Sequence, residues 1–143
     1  MSKIHTRKAV IYLADDDPDD RELLLKAFLQ ITDTHQLKMA SNGIALLDML
    51  SHVDDSELPC LIVLDYNMHG LNGRDTLKFL QRFSRYQDIP KVIYTTSNSL
   101  LDKAELVTMG AKDFITKEAT FQGILKSAKE MLTYSRQFLL RRV

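Results

Sequence analysis

The sequence predicts an α/β protein built on a doubly wound, five-stranded parallel sheet, with the element order (βα)5. Two observations carry this. Five short apolar runs recur along the chain, at residues 9–14, 36–40, 60–64, 91–95 and 112–116. Between them, apolar residues return at the three- and four-residue spacing of helices packed on a sheet.

The first, third and fourth runs are continuous and rich in Val, Ile or Tyr, as strands covered on both faces are. The second and fifth are more polar, which places them toward the sheet edges. Leu24, Ala27, Phe28 and Ile31 mark the first helix, Leu46, Met49, Leu50 and Val53 the second, and Leu77, Leu80 and Phe83 the third. Ala104 and Val107, with Leu100, mark a shorter fourth. The last helix carries a stripe from Phe121 through Ile124, Ala128, Met131 and Ser135 to Leu139, and is expected to continue to about residue 142. Crossovers between parallel strands are right-handed in nearly all proteins, so the ligand crevice falls at the carboxyl ends of the strands.

Composition narrows the function classes. The chain of 143 residues has 19 basic and 19 acidic side chains, so no electrostatic footprint for nucleic acid is present. No apolar run approaches the roughly 18 residues of a membrane span, and residues 1–8 lack the apolar core of a signal peptide. A cytoplasmic location is expected. The one cysteine, Cys60, reads as a small core residue. No linker or repeat divides the chain, so one domain over 1–143 is expected, with its core at about 8–135.

Charged residues stand at the strand ends. The first strand runs into Asp15, Asp16, Asp17, Pro18, Asp19 and Asp20. Asp17 before Pro18 reads as an N-cap with proline at the first helical position, and Asp19 and Asp20 complement the positive helix end. Asp15 and Asp16 are left without a capping role. Asp65 ends the third strand, Thr95-Thr96-Ser97 the fourth, and Thr116-Lys117 the fifth. With the flavodoxin-like strand order 2-1-3-4-5, these ends surround one crevice. Three carboxylates so close raise one another's pKa unless a cation compensates. Hard oxygen ligands with room for water suit Mg²⁺, and a lysine suits a phosphoryl oxygen. The expectation is a Mg²⁺-assisted phosphoryl site with a carboxylate nucleophile.

These residues resemble the CheY-like receiver family of response regulators, in its single-domain form, over about residues 8–135. Asp15 and Asp16 match the family's acidic pair, with Arg21 following. Asp65 matches the phosphoacceptor in Asp65-Tyr66-Asn67-Met68-His69-Gly70-Leu71-Asn72-Gly73, Thr95 the conserved threonine and Lys117 the conserved lysine. The resemblance implies that Asp65 takes a phosphoryl group from a phosphohistidine on a sensor histidine kinase, a hybrid kinase or a phosphotransfer protein. It implies that Asp16, Asp65 and the Asn67 carbonyl ligate Mg²⁺ (or Mn²⁺), with Asp15 helping through water. Lys117 and the Thr95 hydroxyl would hold phosphoryl oxygens, Thr95 and Phe114 would act as the switch, and Asn67 and Ser97 would tune the lifetime of the phosphorylated state. A core aromatic on the fifth strand is the equal reading of Phe114. The chain is expected to be a phosphorylated switch, not an enzyme acting on a separate substrate, with family-type catalysis of its own phosphotransfer and slow autodephosphorylation.

Two positions depart from the family. His69 stands where proline is usual, and is expected to be an exposed loop histidine. Glu118 stands where a proline after a cis peptide usually follows the lysine. A cis bond before a non-proline residue costs about 2.5–4 kcal/mol, so Lys117–Glu118 is expected to be trans. Asn72-Gly73 is expected to form the tight turn opening the third helix, with Gly73 supplying a backbone state that other residues resist.

Two other functions compete with this one. A degenerate receiver binding partners without phosphorylation is opposed by the intact set Asp15, Asp16, Asp65, Thr95 and Lys117. A haloacid-dehalogenase-type phosphatase needs a second Asp where this chain has Asn67, and a cap insertion that is missing. Without a following output domain, the signal is expected to leave through contact with a downstream protein or through onward phosphotransfer. Phe138, Leu139 and Leu140 look unsatisfied at the end of the last helix and suggest a homodimer or partner surface, against a solvated tail. The Thr95-Thr96-Ser97 element resembles that of single-domain receivers partnering phytochrome-like and related hybrid kinases.

Overall fold

The structure is a computed structural model and describes residues 8–96 and 101–142. Five strands, β1 (Ala9–Ala14), β2 (His35–Ala40), β3 (Leu61–Asp65), β4 (Lys91–Thr95) and β5 (Ala111–Thr116), form one parallel sheet in the order β2-β1-β3-β4-β5. The expected architecture and strand order are both present.

Alternation along the strands divides the core in two. Ile11, Leu13, Leu61, Val63 and Val92 face one side, where α1 (Pro18–Ile31) and α6 (Phe121–Arg141) cover them with Leu24, Phe28, Ile124 and Met131. Tyr12, Ile62, Leu64 and Ile93 face the other side. There they meet Leu46 and Leu50 of α2 (Gly43–Ser51), Leu77 and Leu80 of α3 (Gly73–Leu80), and Leu106 of α5 (Lys103–Thr108). All five residues of β3 and of β4 are buried, whereas β2 is mostly half-buried at its edge.

Several local expectations change. The third apolar stripe stops at Leu80; Phe83, 44% exposed, caps a one-turn helix α4 (Ser84–Gln87). In α5 the inward residue is Leu106, while Val107 is 56% exposed and Ala104 is exposed. Six residues give that helix one buried position, and Leu101 and Met109 at its flanks complete the contact with the core. Leu100, expected in that helix, lies outside the described residues.

The end of α6 is also more satisfied than its sequence suggests. Phe138 packs against both core layers and Leu139 against one, closing the sheet at the amino ends of its strands. Of these three apolar residues only Leu140 is exposed, at 74%. Cys60 is buried as expected, and its thiol lies 2.8 Å from Ser135 Oγ, which in turn lies 2.8 Å from His35 Nε2. Lys91 is a core residue despite its charge, which nothing in the sequence indicates. Its ammonium is fully buried and donates to the carbonyls of Tyr86 and Gln87 at the end of α4, and burial pulls its pKa down to about 8.

Among the described residues no helix is long and apolar enough to cross a membrane.

Candidate functional site

Strand register builds the site. Ala14 is opposite Leu64, so Asp15 and Asp65 leave the sheet side by side. Asp65 is opposite Tyr94, and Thr95 is opposite Thr116, so Thr95 and Lys117 follow at the same edge. Lys117 N–H donates to the Thr95 carbonyl at 2.7 Å, extending the ladder past β5.

Helix capping fixes the approach from β1. Asp17 is the N-cap of α1, accepting from the backbone N–H of Asp19 at 2.9 Å and of Asp20 at 3.4 Å, with Pro18 in the first turn. Asp15 Oδ1 accepts from Asp17 N–H at 3.0 Å, and Arg21 Nη1 donates to the Asp15 carbonyl at 2.6 Å. The expected cap is thus present, and Arg21 anchors the end of β1.

Asp15, Asp16 and Asp65 each place a carboxylate oxygen within 4.8 Å of the others. Asp15 and Asp65 are buried and Asp16 is half-buried. Lys117 Nζ enters this group at 2.7 Å from Asp15 Oδ2, 2.9 Å from Asp20 Oδ2 and 3.3 Å from Asp65 Oδ2. It also sits 5.4 Å above the Tyr94 ring. The sequence marks Asp20 as a helix-end charge alone. Its contact with Lys117 joins residues far apart in the chain, and the acidic run gave no sign of it.

Burial dominates the electrostatics of Asp65 and pushes its pKa up to about 7; Lys117 and the Asn67 N–H oppose the rise, and Asp15 adds to it. Burial lowers the pKa of Lys117, but its hydrogen bonds and ion pairs with the carboxylates outweigh this and hold it above its ordinary value.

The loop after Asp65 is shaped by contact with the phosphoacceptor candidate itself. Asn67 N–H donates to Asp65 Oδ1 at 3.2 Å, and His69 N–H donates to Asp16 Oδ2 at 3.3 Å. The side chains of Asn67 and His69 are exposed, as was expected for the histidine. Asn72 caps α3 by accepting from Asp75 N–H at 2.8 Å.

Gly73 differs from expectation in its reason. Its φ is not positive; the positive φ of this loop, 78°, belongs to Gly70. A Cβ at residue 73 would instead lie 2.4 Å from the Asp65 carbonyl oxygen and 2.9 Å from Tyr66 Cα. Close approach of the two backbones, not turn geometry, excludes a side chain there.

Every peptide bond among the described residues is trans, Lys117–Glu118 included. Glu118 packs where a Cβ on Gly123 would come within 2.3 Å of its own Cβ, so a glycine in the first turn of α6 accommodates it. Thr95 is buried, and Phe114 is half-buried with Lys103 Nζ 5.5 Å over its ring. Ser97 lies outside the described residues.

The donor set fits a hard divalent cation. Asp15 Oδ2 is the one buried side-chain oxygen or nitrogen among the described residues with no hydrogen bond of favourable geometry, despite its ion pair with Lys117. Asp16 and Asp65 bring further carboxylate oxygens beside it, and all-oxygen sets of this kind suit Mg²⁺ or Mn²⁺.

Comparison with known proteins agrees with this geometry. The family model described as "Response regulator receiver domain" matches residues 11–129. Protein PilH of Pseudomonas aeruginosa is 31% identical over 127 residues, covering 87% of this chain and 98% of PilH. The crystal structure of the Mn²⁺-bound form of response regulator Rcp1 superposes with a TM-score of 0.74 at 25% identity, covering 87% of this chain and 92% of Rcp1. The phosphorylated cyanobacterial phytochrome response regulator RcpA shares the fold with a TM-score of 0.80 at 23% identity, over 90% of this chain and 94% of that one. The chain belongs to the response regulator receiver family and is a CheY-like receiver domain of two-component signalling.

Proposed function

We propose that this receiver is switched by phosphorylation of Asp65. The observation that carries the reading is the convergence of Lys117 Nζ on Asp65 Oδ2, at 3.3 Å, within a group of carboxylates suited to a divalent cation. In the transfer, an Asp65 carboxylate oxygen forms a bond to phosphorus as the phosphorus–nitrogen bond of a phosphohistidine breaks. The histidine nitrogen recovers a proton, and Asp65 becomes an acyl phosphate. Asp15, Asp16, Asp65 and the Asn67 carbonyl would hold Mg²⁺ or Mn²⁺, which supplies neutralisation of charge on the transferring group. The binding of Mn²⁺ by Rcp1 supports this assignment.

Lys117 is held in place to pair with a phosphoryl oxygen, and Thr95, at the end of the adjacent strand, to donate its hydroxyl to another. The donor is a sensor histidine kinase, a hybrid kinase or a phosphotransfer protein, and the output is contact with a downstream protein. Thr95 and Phe114 carry the change to that surface, and Asn67 tunes the lifetime of the acyl phosphate. The protein acts as a signalling switch whose catalysis is limited to its own phosphorylation and slow dephosphorylation.

Incubation with acetyl phosphate and Mg²⁺, followed by intact-protein mass spectrometry, tests the reading. One added phosphoryl group in the wild type and none in Asp65→Asn is the expected result. Absence of modification in the wild type would favour a receiver that binds partners without phosphorylation.

A further inference from the structure

Lys117 meets one more carboxylate than this chemistry uses. Asp15 and Asp65 belong to the triad that would hold the divalent cation, whereas Asp20, 2.9 Å from Lys117 Nζ, does not. Asp20 stands in the first turn of α1, which the Asp17 cap and Pro18 fix in place, and its side chain is 32% exposed. Asp19, in the same turn, is exposed and already complements the helix end.

The hydrogen-bond geometry separates the three contacts. Lys117 Nζ donates directed bonds to Asp20 Oδ2 and Asp65 Oδ2, while its contact with Asp15 Oδ2 is a close ion pair without hydrogen-bond geometry. A divalent cation taken up by Asp15, Asp16 and Asp65 needs carboxylates that Lys117 now touches, and the two cations repel. Lys117 then keeps one carboxylate, that of Asp20.

We propose that Asp20 is a positioning residue: it holds the Lys117 ammonium at the edge of the acidic triad while a divalent cation occupies Asp15, Asp16 and Asp65, so that the lysine stays within reach of the phosphoryl group. The inference rests on the phosphoryl-site reading above. Without Asp20, the ammonium has no carboxylate partner outside the triad among the described residues and competes with the cation for Asp15 and Asp65.

Titration of the full chain with Mn²⁺, followed by the electron paramagnetic resonance signal of the free ion, tests this without reference to phosphorylation. Four proteins form a double-mutant cycle: wild type, Asp20→Asn, Lys117→Met and the double variant. Asp20→Asn is expected to weaken Mn²⁺ binding about five-fold when Lys117 is present and less than about two-fold when it is replaced. Asp20→Glu, which keeps the charge, is expected to restore binding. Should Lys117→Met fail to fold, judged by circular dichroism, Lys117→Gln serves as the second background. Equal losses in both backgrounds would show that Asp20 acts on the cation through its own charge, and would overturn the proposal; no loss in either would do the same. A wild-type protein that binds no Mn²⁺ would instead overturn the reading of the site on which it rests.

Discussion

Lys117 Nζ lies 3.3 Å from Asp65 Oδ2, although 52 residues separate them in the chain. The lysine side chain is 9% exposed and that of Asp65 7%, so the pair meets where water screens little. One ammonium stands against the carboxylates of Asp15, Asp20 and Asp65, with Asp16 beside them, and this deficit of positive charge defines how the metal-free protein behaves.

The first consequence is a pH dependence of stability. Burial raises the pKa of Asp65 from its ordinary 3.8 to about 7. Because the folded state then holds the proton more tightly than the unfolded state, the stabilisation is present below about pH 4 and is lost as pH rises toward about 7, beyond which this group adds no further change. Urea unfolding in EDTA should show this loss in the wild type. Asp65→Asn, which cannot ionise, should be flatter across that range and more stable at pH 8 by roughly 2–4 kcal/mol.

Gly73→Ala brings a methyl group against the backbone of Asp65, 2.4 Å from its carbonyl oxygen. Backbone cannot yield as a side chain can, so we expect a loss of roughly 1–3 kcal/mol in urea unfolding. Slower labelling by acetyl phosphate should accompany it, because the displaced residue is the proposed acceptor. Gly70→Ala, at a positive φ with open space around it, should lose stability through backbone strain, with a smaller effect on labelling.

Much of this was legible in the sequence because parallel strands buried on both faces announce themselves. β3 and β4 are unbroken apolar runs, and the residues ending them, Asp65 and Thr95, fall at the crevice by the rule of strand ends. Asp17 before Pro18 read as a cap and is one. What failed depended on distant packing. Nothing local distinguishes Asp20, which reaches Lys117, from Asp19, which is exposed. The sequence points to a constraint at Gly73 but not to its cause, since the backbone it must avoid lies at the end of β3 and just beyond it. The apolar positions of α5 do not reveal its inward face, because six residues hold too few turns to show a period.

Phe138 and Leu140 separate a core role from a surface one. Phe138 touches both core layers, so Phe138→Ala should cost about 2–3 kcal/mol in the isolated chain. Leu140, exposed, should tolerate Leu140→Ser within about 0.5 kcal/mol. Thermal unfolding of the two variants compares them directly.

Ser135 joins Cys60 and His35 in a chain of contacts between β2, the start of β3 and α6, each 2.8 Å from its hydroxyl. Ser135→Ala leaves both groups without this partner, and urea unfolding should register a loss of about 1–2 kcal/mol.

The most direct test of the account is to locate the phosphoryl group, because Asp15, Asp16 and Asp65 lie within 4.8 Å of one another and each is a possible acceptor by distance alone. Acetyl phosphate labelling in Mg²⁺, borohydride reduction of the acyl phosphate and peptide mass spectrometry assign the modified residue. Reduction at residue 65 alone is the predicted result; reduction at Asp15, at Asp16 or at no aspartate would contradict it.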